Sequence, residues 1–135
     1  MSRPPPLPHP TPLSRPFWEA TARRELLLQR CDACETHLFY PRHNCTECGS
    51  RSLSWVRSEG KGSLFTYTIA RRPTHPAFAD RVPYVIAVVE LAEGPRMTTN
   101  LIDCSLDAVS VGMPVEVAFG ELQEGLRLPF FRPRA

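Results

Sequence analysis

Apolar and polar positions alternate through most of the second half of the chain, and a period of two predicts strands. Over residues 63–71, Leu64, Thr66, Thr68 and Ala70 fall on one face and Phe65, Tyr67, Ile69 and Arg71 on the other. Residues 84–91 are nearly all apolar and β-branched, the pattern of a central strand buried on both faces. After the turn Glu93-Gly94-Pro95, residues 97–102 read as a returning strand. Over 114–120, Val115, Val117 and Phe119 point inward and Glu116 outward, and after the turn Glu124-Gly125 residues 126–131 form the last strand. With a short strand over 53–56 and a turn over 59–62, this makes about five strands without a helical pattern among them, which a small closed barrel arranges with no open edge.

The first half has a different texture. Residues 1–15 are rich in proline (Pro4, Pro5, Pro6, Pro8, Pro10 and Pro12), which fixes φ and removes donors, so this stretch is extended. It is either a tail or an arm that lies on a partner. A helix starts near Pro16 with Ser14 as cap, and Phe17, Ala20, Thr21 and Arg24 share one face. Residues 26–29 are a short strand running into Cys31. The chain thus divides into an arm over 1–15, a helix and cysteine-bearing ribbon over 16–52, and a barrel over 53–135.

Composition narrows the function classes. Sixteen basic residues against fourteen acidic leave a net charge of +2, too little to demand a polyanionic partner. The longest apolar stretch, residues 82–89, is interrupted by Pro83 and is far short of the ~20 residues a spanning helix needs. The N-terminus lacks the apolar core of a signal peptide, so a reducing cytoplasm is the expected compartment, where paired cysteines point to metal before disulfides.

Four of the five cysteines fall in two C-x-x-C pairs, Cys31/Cys34 and Cys45/Cys48. Two such knuckles converge on one ion, and four thiolates make a closed, structural zinc site. Gly49 follows the second knuckle, and Glu35 stands at the equivalent place in the first. Two disulfides, a redox pair and iron are the alternatives. Arg30, Arg42 and Arg51 flank the site and offset the charge of a zinc tetrathiolate. Cys104 stands alone and reads as a small semi-buried thiol, and no hydrolase triad or phosphate loop stands out.

Phe17-Trp18-Glu19, Leu28-Gln29-Arg30-Cys31, Tyr40-Pro41-Arg42, Cys45-x-x-Cys48-Gly49-Ser50, Trp55, residues 60–66 and residues 111–117 occur in an order and spacing that resemble the "domain of unknown function 35" family. That family has an N-terminal helix, a rubredoxin-like zinc ribbon and a C-terminal OB-fold. Its helix often carries glycines where this chain has Ala20, Thr21 and Arg24, and often a proline at the place of Thr46. The resemblance implies a mainly β protein with Cys31, Cys34, Cys45 and Cys48 as zinc ligands. It also implies a non-catalytic accessory role beside a thiolase-fold aldolase or thiolase of steroid or other acyl-CoA side-chain degradation, with lyase or acyltransferase activity residing in the partner. A 2:2 assembly follows from the symmetry of thiolase folds.

Two surface expectations follow. Arg71, Arg72, His75, Phe78 and Arg81, in and around a proline-bounded loop, would face the phosphates and adenine of CoA at the partner's entrance. Pro73, Pro76, Phe130 and Phe131, with the N-terminal arm, would contact the partner. The competing reading is a nucleic-acid module stacking bases on Phe65, Tyr67 and Ile69. Against it stand the near-neutral charge and the acidic residues Glu90, Glu93, Glu116, Glu121 and Glu124. An independent enzyme using His75 or Cys104 is the third.

Overall fold

The structure is a computed structural model that describes residues 7–123 and 126–134, so the first half of the predicted arm and the Glu124-Gly125 turn lie outside the described residues. Among the described residues one α-helix, α1 (Arg15–Ala22), precedes eight strands. Strands β1 (Leu27–Cys31), β2 (His37–Leu38) and β3 (Leu53–Arg57) form a three-stranded antiparallel sheet in the order β2-β1-β3. Strands β4 (Lys61–Ala70), β5 (Tyr84–Leu91), β6 (Arg96–Leu101), β7 (Pro114–Gln123) and β8 (Leu126–Pro133) close into a five-stranded barrel, β4-β5-β6-β8-β7. The protein is mainly β: a helix, a ribbon and an OB-fold barrel.

The helix begins where expected, but Ser14 does not cap it with its hydroxyl. That oxygen accepts the Thr11 N–H at 2.9 Å, one turn back. Phe17, Ala20 and Thr21 are its buried face. Arg24, expected on that face, lies beyond the helix with φ 61°, because the chain has already turned toward β1. The end of α1 is held from the barrel, where Arg127 Nη1 on β8 donates to the Ala22 carbonyl at 2.6 Å.

The strand expected over 53–56 forms, but in the ribbon sheet. Its register against β1, Leu28↔Val56 and Arg30↔Ser54, makes it the ribbon's third strand. Alternation identifies a strand without saying which sheet receives it. The chain crosses into the barrel through Ser58, which is buried. Ser58 N–H donates to the Leu26 carbonyl at 2.8 Å. The Glu93 carboxylate, at the β5–β6 turn, accepts from Ser58 Oγ at 2.9 Å and from the Glu59 N–H at 2.8 Å. Gly60, at φ +72°, makes the sharp step into β4, where a Cβ would collide with Val117.

Two strand expectations are corrected. On β4 the register shifts between Leu64 and Thr66, so Phe65 is an extra, bulged residue. Leu64 is buried on one side of the bulge and Tyr67 packs on the core beyond it, while Phe65 stays exposed. The single unbroken alternation expected over 63–71 therefore breaks at Phe65. Strand β5 alternates between half-buried and fully buried positions, with one face in the core, rather than being buried on both faces. The core gathers Leu64, Val85, Val89, Leu91, Val115 and Phe131 from the barrel with Leu26 and Leu28 from the ribbon and Phe17 from α1.

Candidate functional site

The two knuckles are built alike. Strand β1 delivers Cys31, whose N–H donates to the Thr36 carbonyl at 2.9 Å while its carbonyl accepts the Glu35 N–H at 2.9 Å. In the second knuckle Cys45 N–H donates to the Ser50 carbonyl at 2.8 Å and the Cys45 carbonyl accepts the Gly49 N–H at 3.0 Å. Each turn needs a left-handed residue four positions after its first cysteine: Glu35 at φ 67° and Gly49 at φ 78°. The backbone also points amides at sulfur, with Cys34 N–H on Cys31 Sγ at 3.5 Å and Glu47 N–H on Cys45 Sγ at 3.3 Å.

The four sulfurs all lie within 4.8 Å of one another, with Cys31–Cys48 and Cys34–Cys45 at 3.6 Å. A tetrahedral ion with metal–sulfur bonds of ~2.3 Å needs sulfur edges of about 3.8 Å, so the cage has the size of a four-thiolate metal site. All four are free thiols, and 3.6 Å is too long for a disulfide bond. Cys31 and Cys45 are buried, whereas Cys34 and Cys48 are exposed.

Proton affinities show what the cage lacks without a cation. The Thr36 hydroxyl and N–H hold Cys34 down to about 6. The Cys34 N–H lowers the Cys31 thiol as well. At Cys48 the Ser50 N–H pulls the other way, but the neighbouring Cys31 and Cys34 sulfurs overcome it and push that thiol up to about 12. Four thiolates at this spacing repel, and a central cation is what lets all four ionise together. The residues present therefore fit a metal ion. Of the flanking arginines, Arg30 is engaged elsewhere, 3.0 Å from Glu35.

Two polar residues that spacing alone did not flag hold the ribbon in shape. Gln29 is buried, and its side chain grips the backbone of Arg42 twice, accepting its N–H at 2.6 Å and donating to its carbonyl at 2.9 Å. Asp32 accepts from Ser52 Oγ at 3.0 Å and Ser54 Oγ at 2.8 Å, tying the first knuckle to β3. The signal for Gln29 was a polar side chain in a strand otherwise heading into the core.

The second candidate region is the loop between β4 and β5. His75 Nδ1 accepts the Ala77 N–H at 3.0 Å and starts the short turn Pro76–Phe78. The rings of His75 and Phe78 lie 5.9 Å apart, Phe78 and Tyr84 6.3 Å apart, and the Arg81 guanidinium sits 5.6 Å from the Phe78 centroid. Phe78 and Arg81 line a cavity of about 310 Å³ together with Tyr84, Asn100, Ile102 and Phe130. Arg71, Arg72 and His75 are not among its lining residues, and both arginines are exposed, as are Pro73 and Pro76. Asn100 and Ile102 were not anticipated, because β6 and the residue that follows it bring them to the cavity from far along the chain, while Tyr84 enters at the start of β5.

Phe130 belongs to this face, but Phe131 does not. Phe131 is 0% exposed, since β8 runs between β6 and β7 and every second side chain enters the core. Its place in a partner interface is thereby withdrawn. The base-stacking platform fails for a related reason. The bulge separates Phe65 from Tyr67, the Phe65 face is covered by Arg96 at 3.7 Å, and Tyr67 turns its hydroxyl toward the Val109 carbonyl. Cys104 is half-buried against the barrel core.

The same architecture occurs in known proteins. Residues 18–54 match the family described as "ChsH2, rubredoxin-like zinc ribbon domain" and residues 55–120 match "ChsH2, C-terminal OB-fold domain". A "DUF35 domain-containing scaffold protein" of Methanothermobacter thermautotrophicus is 36% identical over 103 residues, covering 76% of this chain and 77% of the relative. A "Probable enoyl-CoA hydratase alpha subunit" of Thermomonospora curvata is 44% identical over 118 residues, 87% of this chain. This chain spans only 36% of that relative's length. The solved structure described as "Ltp2-ChsH2(DUF35) aldolase" superposes with a TM-score of 0.83 at 40% identity, covering 93% of this chain and 98% of that one. With its four-cysteine cage, ribbon and barrel in that order, this chain belongs to the DUF35 family of ChsH2-type proteins.

Proposed function

We propose that this chain is a non-catalytic accessory subunit that binds and stabilises a thiolase-fold aldolase or thiolase acting on steroid or other acyl-CoA side chains, in a 2:2 assembly in the cytoplasm. The observation that carries this reading is the likeness, along almost the whole chain, to the DUF35 protein of an aldolase complex. The four-thiol cage supports it, since a closed tetrahedral zinc site on Cys31, Cys34, Cys45 and Cys48 stabilises a scaffold and leaves no open position for substrate. Zinc suits this donor set because it accepts four thiolates without a change of oxidation state.

The cavity under the 71–84 region sharpens the CoA part of the proposal. Arg81 and Phe78 line it, so in this reading they carry the contact with CoA at the partner's entrance, and Arg71, Arg72 and His75 stand in the stretch of chain that leads to them. The test is co-expression with a thiolase-fold aldolase, followed by steady-state kinetics of the purified complex. A stable complex in which Arg81→Ala raises KM at least about fivefold while kcat holds would mark lost uniform substrate binding. A chain that stays apart from every such enzyme overturns the subunit reading. An intact complex with unchanged KM removes only the CoA contact.

A further inference from the structure

We propose that residues 7–12 of one copy of this chain lie in an aromatic groove of a second copy, and that the exchange is reciprocal, giving a symmetric dimer. This goes beyond the accessory-subunit reading and does not rest on it. The groove, about 360 Å³, runs between α1, residues 39–41, β6 and β8. Its walls are rings: Phe17, Trp18, Phe39 and Tyr40, with Pro41 and Pro129 beside them. Phe17 and Trp18 meet edge-on at 4.9 Å, Phe17 and Phe39 lie 5.5 Å apart, and Phe39 and Tyr40 4.3 Å apart. Tyr40 is 47% exposed, yet its hydroxyl is fixed by the Thr98 N–H at 3.2 Å, so the ring stands as a rigid ridge.

A groove ridged by aromatic rings suits a polyproline segment. Pyrrolidine rings fill the spaces between the ridges, and the segment is already extended, so binding orders little that was free. This chain carries such a segment at the rim of the groove itself: Leu7-Pro8-His9-Pro10-Thr11-Pro12. Its root is anchored, because the Thr11 carbonyl accepts the Arg15 N–H at 2.8 Å and Ser14, a groove residue, accepts the Thr11 N–H at 2.9 Å. Leu7, His9, Pro10, Thr11 and Pro12 are exposed, Pro8 is half-buried, and none of the six lines the groove of its own chain. Pro12 already belongs to the turn that leads into α1, and the five residues before it, as polyproline helix, span about 15 Å and bend poorly over that length. A rod rooted at the rim of one groove and projecting outward reaches a groove on a facing copy. Two copies facing groove to groove make the same contact twice, which closes the assembly at two.

The test uses the metal-loaded full chain, a variant lacking residues 1–10, and a synthetic peptide of residues 1–12. Sedimentation equilibrium at tens of micromolar should show a dimer for the full chain and a monomer for the truncated one. Calorimetry should show the peptide binding the truncated chain. Replacing Pro8 and Pro10 by alanine in the peptide, or Tyr40→Ala in the chain, should weaken that binding at least about tenfold. A full chain that is monomeric at these concentrations overturns the exchange, as does a truncated chain that still dimerises or fails to bind the peptide. A monomeric full chain whose truncation exposes a peptide-binding groove would show the arm filling its own groove, and also overturns it.

Discussion

The ribbon and the barrel stand side by side in one chain, yet different forces hold them. The barrel buries Leu64, Val85, Val89, Leu91, Val115 and Phe131 in a shared apolar cluster and closes its strands into a ring. The knuckle end of the ribbon has a cluster of only Cys31, Leu38 and Cys45 with Leu53 against it. Two of those buried groups are thiols of the cage. Its other restraints are polar: the Gln29 grip on Arg42 and the serine contacts of Asp32. Hydrophobic burial scales with area, and a unit this small has too little area to outweigh the entropy of ordering its chain. At that end the cage is placed for a central ion to do the work of a core. The barrel carries a core of its own, which Leu26 and Leu28 of the ribbon join, whereas the knuckle end is built to be completed by a metal ion.

The sharpest way to break the comparison is to remove the ion. Metal binding of this kind supplies on the order of 10 kcal/mol in small ribbons. Chelation, or Cys45→Ser, should therefore abolish amide-exchange protection around the knuckles while the barrel strands β5 and β7 stay protected. Acid should do the same, because each ligand must shed a proton to bind. Metal affinity falls as pH falls, and Cys48, pushed up to about 12 without a cation, holds its proton most firmly of the shifted thiols. Equal loss of protection in both regions would show that the barrel also depends on the metal.

The converse change is Phe131→Ala, which empties a fully buried site where the β6–β8 seam closes. It should cost about 3–5 kcal/mol in denaturant melts, with metal content retained in the folded fraction. A smaller effect tests the joint. Glu93→Ala removes the carboxylate that holds Ser58 and Glu59, at a cost of about 1.5–3 kcal/mol, and should separate ribbon and barrel melting into two transitions seen by calorimetry. A single unchanged transition would show that the joint is held by packing alone.

The sequence made the cage legible because two C-x-x-C pairs constrain geometry locally, and the barrel legible because alternation marks strands one at a time. What it concealed were relations between strands. The sheet that takes residues 53–57 is decided by pairing with β1. The orientation of Tyr67 is decided by a one-residue bulge whose trigger lies in the register with β5. Phe130 and Phe131 look alike in a terminal apolar pair, and only the placement of β8 between two neighbours sends one inward. The cavity beside Phe78 was half visible. Its loop residues were near in sequence, but Asn100, Ile102 and Phe130 reach it through the fold.

The bond from Arg127 to the Ala22 carbonyl joins residues 105 positions apart, and it sets an order on the birth of the molecule. During synthesis the helix leaves the ribosome first, yet its last carbonyl waits for a side chain on the final strand. The partners that shape the knuckles, Thr36, Gly49, Ser50, Ser52 and Ser54, all lie within the ribbon and ahead of the barrel strands. A nascent chain can therefore take up its ion well before its first helix is seated, since segments form as they emerge. The helix, and with it the wall of the groove formed by Phe17 and Trp18, takes its final position only when the last strand arrives. A chain cut short before β8 would carry a loaded ribbon and an unfinished binding face.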